Sequence, residues 1–361
     1  MPILTAEKLI IAFRKLSEFL DQPSPEFTNI IESAPNHNAW FTLEEVKKAL
    51  SALKGMLNQP ALEKWFEDII VADAPKKIGL ILAGNIPLVG FHDVISVLAT
   101  GNTALIKLSS SDDQLLPALL KELTSYEPLL TDRIVYIERL KDFDAIIATG
   151  SNNTSRYFDY YFGKGPNIIR KNRNSVAVLD GKETEAEIRL LGHDIFDYFG
   201  LGCRNVSKIY LPEGYEIEKF FKPLEQFHPI NNHFKYNNNY DYNKSIYLVN
   251  LIQHFDNGFL LLKEDKGLSS PLSVVYFEYY SDLNDLSAEL SAGKENIQCV
   301  VTHTAISPGT GTVPFGDSQH PRLWDYADNV DTIAFLNQLK EHDEYDLYAI
   351  CSYFLNLKHY F

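Results

Sequence analysis

From Lys77 onward the chain repeats one pattern: a short apolar run, a turn, then a helical stretch. Residues 78–83 (Ile-Gly-Leu-Ile-Leu-Ala) form the first run and stop at Gly84-Asn85. Residues 88–99 read as an apolar helix closed by Gly101-Asn102. Residues 104–107, 133–137, 145–149 and 175–179 supply further strands, with helices over 112–123 and 152–162. Strands that are apolar throughout, rather than alternately, belong to a parallel sheet covered by helices on both faces. Such sheets bind ligands beyond the carboxyl ends of their strands, so the loops there are where function is sought.

The flanks differ. Leu9, Ala12, Phe13, Leu16 and Leu20 fall on one helix face. Thr42 with Glu45 makes a capping-box pattern ahead of a helix over 43–54, and Pro60 opens another over 61–71. Pro75 ends this region. Beyond Gly181 a second α/β unit is expected, with a helix over 183–198 and strands over 206–211, 272–277 and 298–302. The Asn- and Tyr-rich residues 231–244 read as a surface excursion. The expected division is a helical segment 1–75, a first α/β unit 76–181, a second 182–335 and a helical tail 336–361.

The net charge of -15 argues against nucleic acid or an anionic membrane surface as partner, since both select basic patches. An anionic small ligand stays compatible, because a few local cations and backbone N–H groups suffice to hold phosphates. The three cysteines, Cys203, Cys299 and Cys351, contain no Cys-x-x-Cys pair, which points away from a disulfide scaffold or zinc site and toward a reducing compartment. No apolar run approaches the ~20 residues needed to span a bilayer, and the amphipathic N-terminus lacks a signal-peptide core. A cytoplasmic protein is expected, with no metal.

Walker, His-Glu-x-x-His and Gly-x-Ser-x-Gly motifs are absent. Gly200-Leu-Gly-Cys-Arg-Asn begins like a dinucleotide fingerprint, but it follows a helix and precedes a strand, the reverse of what phosphate binding needs. Its interest is Cys203: glycines let a substrate approach closely, and Arg204 favours a thiolate. Cys299, inside an apolar run, reads as a core residue. Asn85 follows the first strand and is either a turn residue or an amide aimed at an oxyanion. Lys107 ends the second strand, and residues 149–152 (Thr-Gly-Ser-Asn) open a helix as a phosphate cradle or a plain cap.

Taken in order, Gly84-Asn85-Ile-Pro, Gly101-Asn102 with Lys107-Leu-Ser-Ser, Ala148-Thr-Gly-Ser, the Cys203 loop and Pro314-Phe-Gly316 resemble the aldehyde dehydrogenase superfamily. Residues 150–156, 198–206 and Asp325-Tyr-Ala-Asp328 are similar to patterns of its LuxC-type acyl-CoA reductases, and the resemblance covers roughly residues 77–335. It implies an α/β, aldehyde-dehydrogenase-like fold. The Rossmann-type nucleotide-binding domain would be 76–181 and the catalytic domain with its nucleophilic cysteine 182–335. It implies Cys203 as nucleophile, Asn85 and the Cys203 backbone N–H as oxyanion donors, Lys107 at the adenosine ribose, and Gly150 and Ser151 at the pyrophosphate. It further implies an acyl-CoA substrate and a homo-oligomer.

Departures from the superfamily pattern sharpen the expectation. Oxidising members carry a glutamate that activates water, whereas residues 168–178 here hold Arg170, Lys171, Asn172 and Arg173 and no carboxylate. Without a base, hydrolysis of an acyl-enzyme is slow, which suits reduction. NAD-preferring members place a glutamate three residues after the ribose lysine; here that residue is Ser110, which suits NADPH, with NADH left open. Asp112 and Asp113 could instead face the ribose, although a helix cap is the expected role. The glutamate usual near the nicotinamide ribose is not evident, and Glu264 has no assigned place. His303 and His320 are acid candidates by residue type alone. Two alternatives stay open: an acyl-phosphate-dependent semialdehyde dehydrogenase of the same superfamily, and a catalytically inactive nucleotide-binding subunit.

Overall fold

The computed structural model describes residues 3–150 and 152–339. Ser151, Cys351 and the expected tail beyond Leu339 lie outside the described residues.

Four helices open the chain: α1 (Ala6–Phe19), α2 (Pro25–His37), α3 (Leu43–Met56) and α4 (Gln59–Phe66). Each begins at a side-chain cap, from Thr5, Ser24, Thr42 and Asn58. A first α/β unit follows: β1 (Lys77–Ile81), α5 (Phe91–Ala99), β2 (Thr103–Lys107), α6 (Leu115–Tyr126), β3 (Ile134–Tyr136), β4 (Ala145–Thr149), α7 (Asn152–Phe162) and β5 (Asn167–Arg170). Its strands form a parallel five-stranded sheet ordered β3-β2-β1-β4-β5. Strand order reverses between β1 and β4, so a ligand crevice opens at their carboxyl ends. Leu9, Phe13 and Phe27 of the opening helices share one core with Leu80 and Ile106 of the sheet and Leu119 of α6.

The second unit comprises β6 (Asn174–Val178), α8 (Glu185–Phe196), β7 (Val206–Pro212), α9 (Ile217–Leu224), α10 (Phe234–Val249), β8 (Phe255–Asp256), β9 (Leu261–Glu264), β10 (Val274–Tyr280), α11 (Leu283–Ala292), β11 (Ile297–Val301) and β12 (Thr312–Val313). Its sheet runs β12-β11-β6-β7-β10-β9-β8, parallel except for the β8–β9 pair. A helix over residues 332–339 closes the described chain.

The structure revises three boundaries. The chain changes sheets between β5 and β6, at Lys171–Asn172–Arg173, rather than after Gly181. Residues 168–178 therefore contain two strands from different sheets. The helices expected from Leu88 and Asp112 begin three residues later each, at Phe91 and Leu115. Leu88 has φ 60°, outside helical geometry, and its N–H donates to Asp112 Oδ2 at 2.8 Å, a bond that joins the two non-helical starts. The supposed surface excursion is mostly α10. Its buried face is Tyr236, Tyr240, Asn243 and Tyr247 at helical spacing. The phenol of Tyr236 donates to Phe259 O and that of Tyr240 to Asp256 Oδ1, so the rings are buried without stranding a hydroxyl.

Candidate active site

The Cys203 loop is built on an unusual backbone. After α8 the chain turns through Tyr198 (φ 54°), Phe199 (φ 58°) and Gly200 (φ 77°), three successive residues in the left-handed region. For the two non-glycine residues this costs about 1–3 kcal/mol each, so neighbours must enforce it. The N–H of Tyr198 donates to Glu45 Oε2 of α3 at 2.6 Å. The ring of Phe199 lies 5.3 Å from Trp40 and 4.3 Å from His233. Glu45 thus caps less than its sequence pattern suggests. Thr42 does accept from Glu45 N, but the Glu45 carboxylate turns to Tyr198 and Lys48 instead of closing the box.

Beyond Gly200, the buried Asn205 holds the loop closed. Its Oδ1 accepts from Gly202 N at 2.8 Å, and its Nδ2 donates to Asp194 O and Asp197 O at 3.0 and 2.9 Å. Cys203 sits between, reachable by solvent. Its carbonyl accepts from Ser175 Oγ of β6 at 3.1 Å, and that hydroxyl also lies 3.1 Å from Cys299 Sγ. Protein crowds the exposed thiol: desolvation pushes its pKa up, the Arg204 charge draws it down, Asp328 raises it and Arg170 lowers it. The net shift is upward. Arg204 therefore acts in the expected direction but does not prevail, its guanidinium being also engaged with Asp325 O at 2.6 Å.

Asn85 meets this loop directly. From the end of β1 its Nδ2 donates to Leu201 O at 2.8 Å, two residues before the cysteine. An amide carries two donor hydrogens, so one is left for a ligand. The expected second donor, the Cys203 N–H, lies against its own sulfur and helps lower the thiol pKa.

The nucleotide side gathers at the carboxyl ends of β1, β2 and β4. Lys107 is exposed at the end of β2, paired in register with Ile81, and Ser110 is exposed in the loop that follows. A Cβ on Gly84 would collide with the Ser109 hydroxyl, so the loops after β1 and β2 close on each other only because residue 84 lacks a side chain. A Cβ on Gly150 would stand 2.9 Å from Phe158 Cε2, so the tight entry into α7 likewise needs glycine. A crevice at the strand switch, an exposed cation and a tight strand-to-helix turn fit a dinucleotide. Asp112 is not available to a ribose. It is buried, its Oδ2 accepts from Leu88 N at 2.8 Å, and burial pushes its pKa up to about 6; the expected cap on α6 is not made, since Gln114 holds the N-cap position and no side chain bonds there.

The link from β5 to β6 carries three cations, of which Arg170 acts on Cys203. Arg170 is buried, its Nη1 2.5 Å from Asp93 Oδ2 and its Nη2 3.2 Å from Thr332 Oγ1, with no partner for Nε. Asp328 (φ 58°) accepts from Lys171 N at 3.3 Å and lies 3.6 Å from Arg173 Nε. Asp328 and Arg170 act electrostatically on Cys203, and no role was assigned to either from sequence. Asp325-Tyr-Ala-Asp328 was visible as a motif, but only the fold shows what it faces. His303 is engaged elsewhere: its Nδ1 pairs with Glu187 at 3.2 Å and its ring stacks on Phe315. His320 is exposed, and Gln319, not His320, lies beside Gly202. Glu264 is exposed at the end of β9.

This architecture is that of the aldehyde dehydrogenases. Aldehyde dehydrogenase 21 from Physcomitrella patens, in complex with succinate, superposes with a TM-score of 0.62 at 14% identity, over 92% of this chain and 85% of that one. An indole-3-acetaldehyde dehydrogenase complexed with NAD+ gives 0.63 at 12% identity over 92% and 82%. The Mycobacterium tuberculosis aldehyde dehydrogenase with NAD+ gives 0.58 at 14% over 85% and 76%. Within that fold, residues 44–224 match the acyl-CoA reductase (LuxC) model, and the chain belongs to this family. A long-chain acyl-protein thioester reductase from Aliivibrio fischeri is 25% identical over 168 residues, 41% of this chain and 35% of that protein. The match thus spans about a third of that relative. No helix among the described residues is long and apolar enough to cross a membrane.

Proposed function

We propose that the protein reduces an acyl-CoA thioester to the aldehyde through an acyl-enzyme on Cys203, with NADPH as reductant. The observation that carries this reading is the 2.8 Å bond from Asn85 Nδ2 to Leu201 O, which brings a free amide hydrogen to the cysteine loop. The Cys203 thiol gives its proton to solvent, the thiolate attacks the thioester carbonyl, and the departing CoA sulfur takes up a proton in its turn. Asn85 donates to the oxyanion as it develops. The C–S bond to CoA then breaks, leaving the acyl group on Cys203. When bound, the nicotinamide cofactor supplies the hydride that reduces this acyl group, and the C–S bond to Cys203 breaks to free the aldehyde. The cationic link at residues 170–173 offers no base to activate water, so the acyl group persists until it is reduced. Lys107 and Gly150 would hold the ribose and pyrophosphate of the cofactor. Ser110, having no carboxylate, tolerates a 2′-phosphate beside Lys107.

The test is labelling without reductant. Radiolabelled acyl-CoA should leave a hydroxylamine-sensitive label on wild type and none on Cys203→Ser, while Cys299→Ser keeps it. An acyl phosphate run beside it should label far more slowly. Full reductase turnover in Cys203→Ser would overturn the mechanism.

A further inference from the structure

Resting on the reading of Cys203 as nucleophile, we infer that Glu45 and Lys48, in the opening helices and far from the reacting atoms, are positioning residues that set the Cys203 loop. Three observations converge. First, the turn Tyr198-Phe199-Gly200 is left-handed throughout, and Cys203 follows it by three residues. Left alone, the two aromatic residues would relax to ordinary backbone and carry the loop with them. Second, residues 39–48 restrain that turn from outside the catalytic unit. Glu45, only 5% exposed, accepts the Tyr198 N–H. Trp40 packs on Phe199 and stacks on His233, whose Nε2 lies 2.8 Å from Ala39 O. Third, the carboxylate that does this is itself fixed. Lys48 Nζ bridges Glu45 Oε1 at 2.9 Å and Asp197 Oδ1 at 2.7 Å, with Glu44 at 3.3 Å, and His193 Nδ1 lies 3.3 Å from the same Asp197 oxygen. Lys48 therefore ties the residue that precedes the turn to the residue that caps its first N–H.

A buried carboxylate paired with one ammonium is weak evidence of stabilisation for its own sake. It is a precise means of fixing register when its oxygens are shared between a cation and a backbone N–H. Here Oε1 takes the ammonium and Oε2 takes Tyr198 N, so neither contact can be kept while the other moves far. On the opposite side the loop is tied to Asn85 through Leu201 O. The loop is thus held both from the nucleotide unit and from the opening helices.

The experiment uses the full chain and two readouts. One is the single-turnover rate of Cys203 acylation at saturating acyl-CoA. The other is the pH–rate profile of Cys203 alkylation by iodoacetamide, read on the Cys203 peptide. That profile reports how the thiol sits relative to Arg204, Arg170 and Asp328. Glu45→Ala should slow acylation at least 20-fold, leave the half-saturating acyl-CoA concentration within threefold, and shift the alkylation profile toward higher pH. Glu45→Gln, whose amide oxygen still accepts the Tyr198 N–H, should return acylation to within threefold of wild type. A purely structural role would lower the melting temperature and the active fraction but leave the alkylation profile unmoved, and that result overturns the inference. If wild type is not acylated by acyl-CoA, the proposed function fails and the alkylation profile alone decides the positioning role. If Glu45→Ala does not fold, Lys48→Gln carries the test: the same shift supports the inference, and a wild-type profile refutes it.

Discussion

Replacing Asn85 with alanine removes two interactions that measurement can separate. The first is the ground-state bond from Nδ2 to Leu201 O at 2.8 Å. On an exposed side chain a neutral hydrogen bond contributes ~1 kcal/mol net, so global stability should fall by no more than about that. The second is the remaining amide hydrogen, which in the proposed mechanism meets an oxyanion only while the tetrahedral adduct on Cys203 exists. Loss of one such donor costs ~2.7–4 kcal/mol, or about 10²–10³ in kcat. The ground-state bond is made without substrate, so its loss should enter kcat only through loop placement. Steady-state kinetics with acyl-CoA and NADPH, paired with urea denaturation, tests the partition. The expected result is a kcat reduced at least a hundredfold, KM for NADPH within threefold, and a stability loss near 1 kcal/mol. A kcat reduced less than tenfold alongside a stability loss of several kcal/mol would show that Asn85 is a turn residue and that the oxyanion is stabilised elsewhere.

Ser110→Glu should weaken NADPH use selectively, because a carboxylate three residues beyond Lys107 would repel a 2′-phosphate; kcat/KM for both cofactors decides it, and an unchanged NADPH-to-NADH ratio would remove Ser110 from the ribose site. Asp112 carries a folded-state pKa of about 6 against 3.8 when unfolded, so the native state binds the extra proton between these values and stability falls as pH rises from about 4 to 6. At ~1.4 kcal/mol per tenfold this amounts to roughly 3 kcal/mol. Asp112→Asn, whose amide oxygen still accepts from Leu88, should therefore gain stability relative to wild type as pH rises through that window, measured by urea titration at each pH. Asp194, also raised to about 6 by burial, keeps its own share of the slope. Parallel curves for the two proteins would refute the assignment to Asp112.

Sequence periodicity located the parallel sheet because its strands are buried on both faces, and it placed Lys107 at a strand end and Asn85 and Cys203 in loops because each of these two follows a strand or a glycine turn. It failed where a residue's conformation is set by a distant acceptor. Left-handed backbone is ordinarily announced by glycine or asparagine, yet around the candidate site it falls on Leu88, Tyr198, Phe199 and Asp328. Three of these four have their N–H taken by a side chain from elsewhere: Leu88 by Asp112 across 24 residues, Tyr198 by Glu45 across 153, and Asp328 by Gln298 across 30. No local pattern encodes such pairings, and two of the acceptors have an innocent reading in sequence, Asp112 as a helix cap and Glu45 as half of a capping box. The three sites flank the Asn85 loop, the Cys203 loop and the carboxylate that acts on the thiol. Local rules are broken where long-range contacts enforce the geometry that chemistry needs. Left-handed residues whose N–H groups are held by remote polar side chains thus gather beside the Asn85 loop, the Cys203 loop and the strand link that faces them, at Leu88, Tyr198 and Asp328.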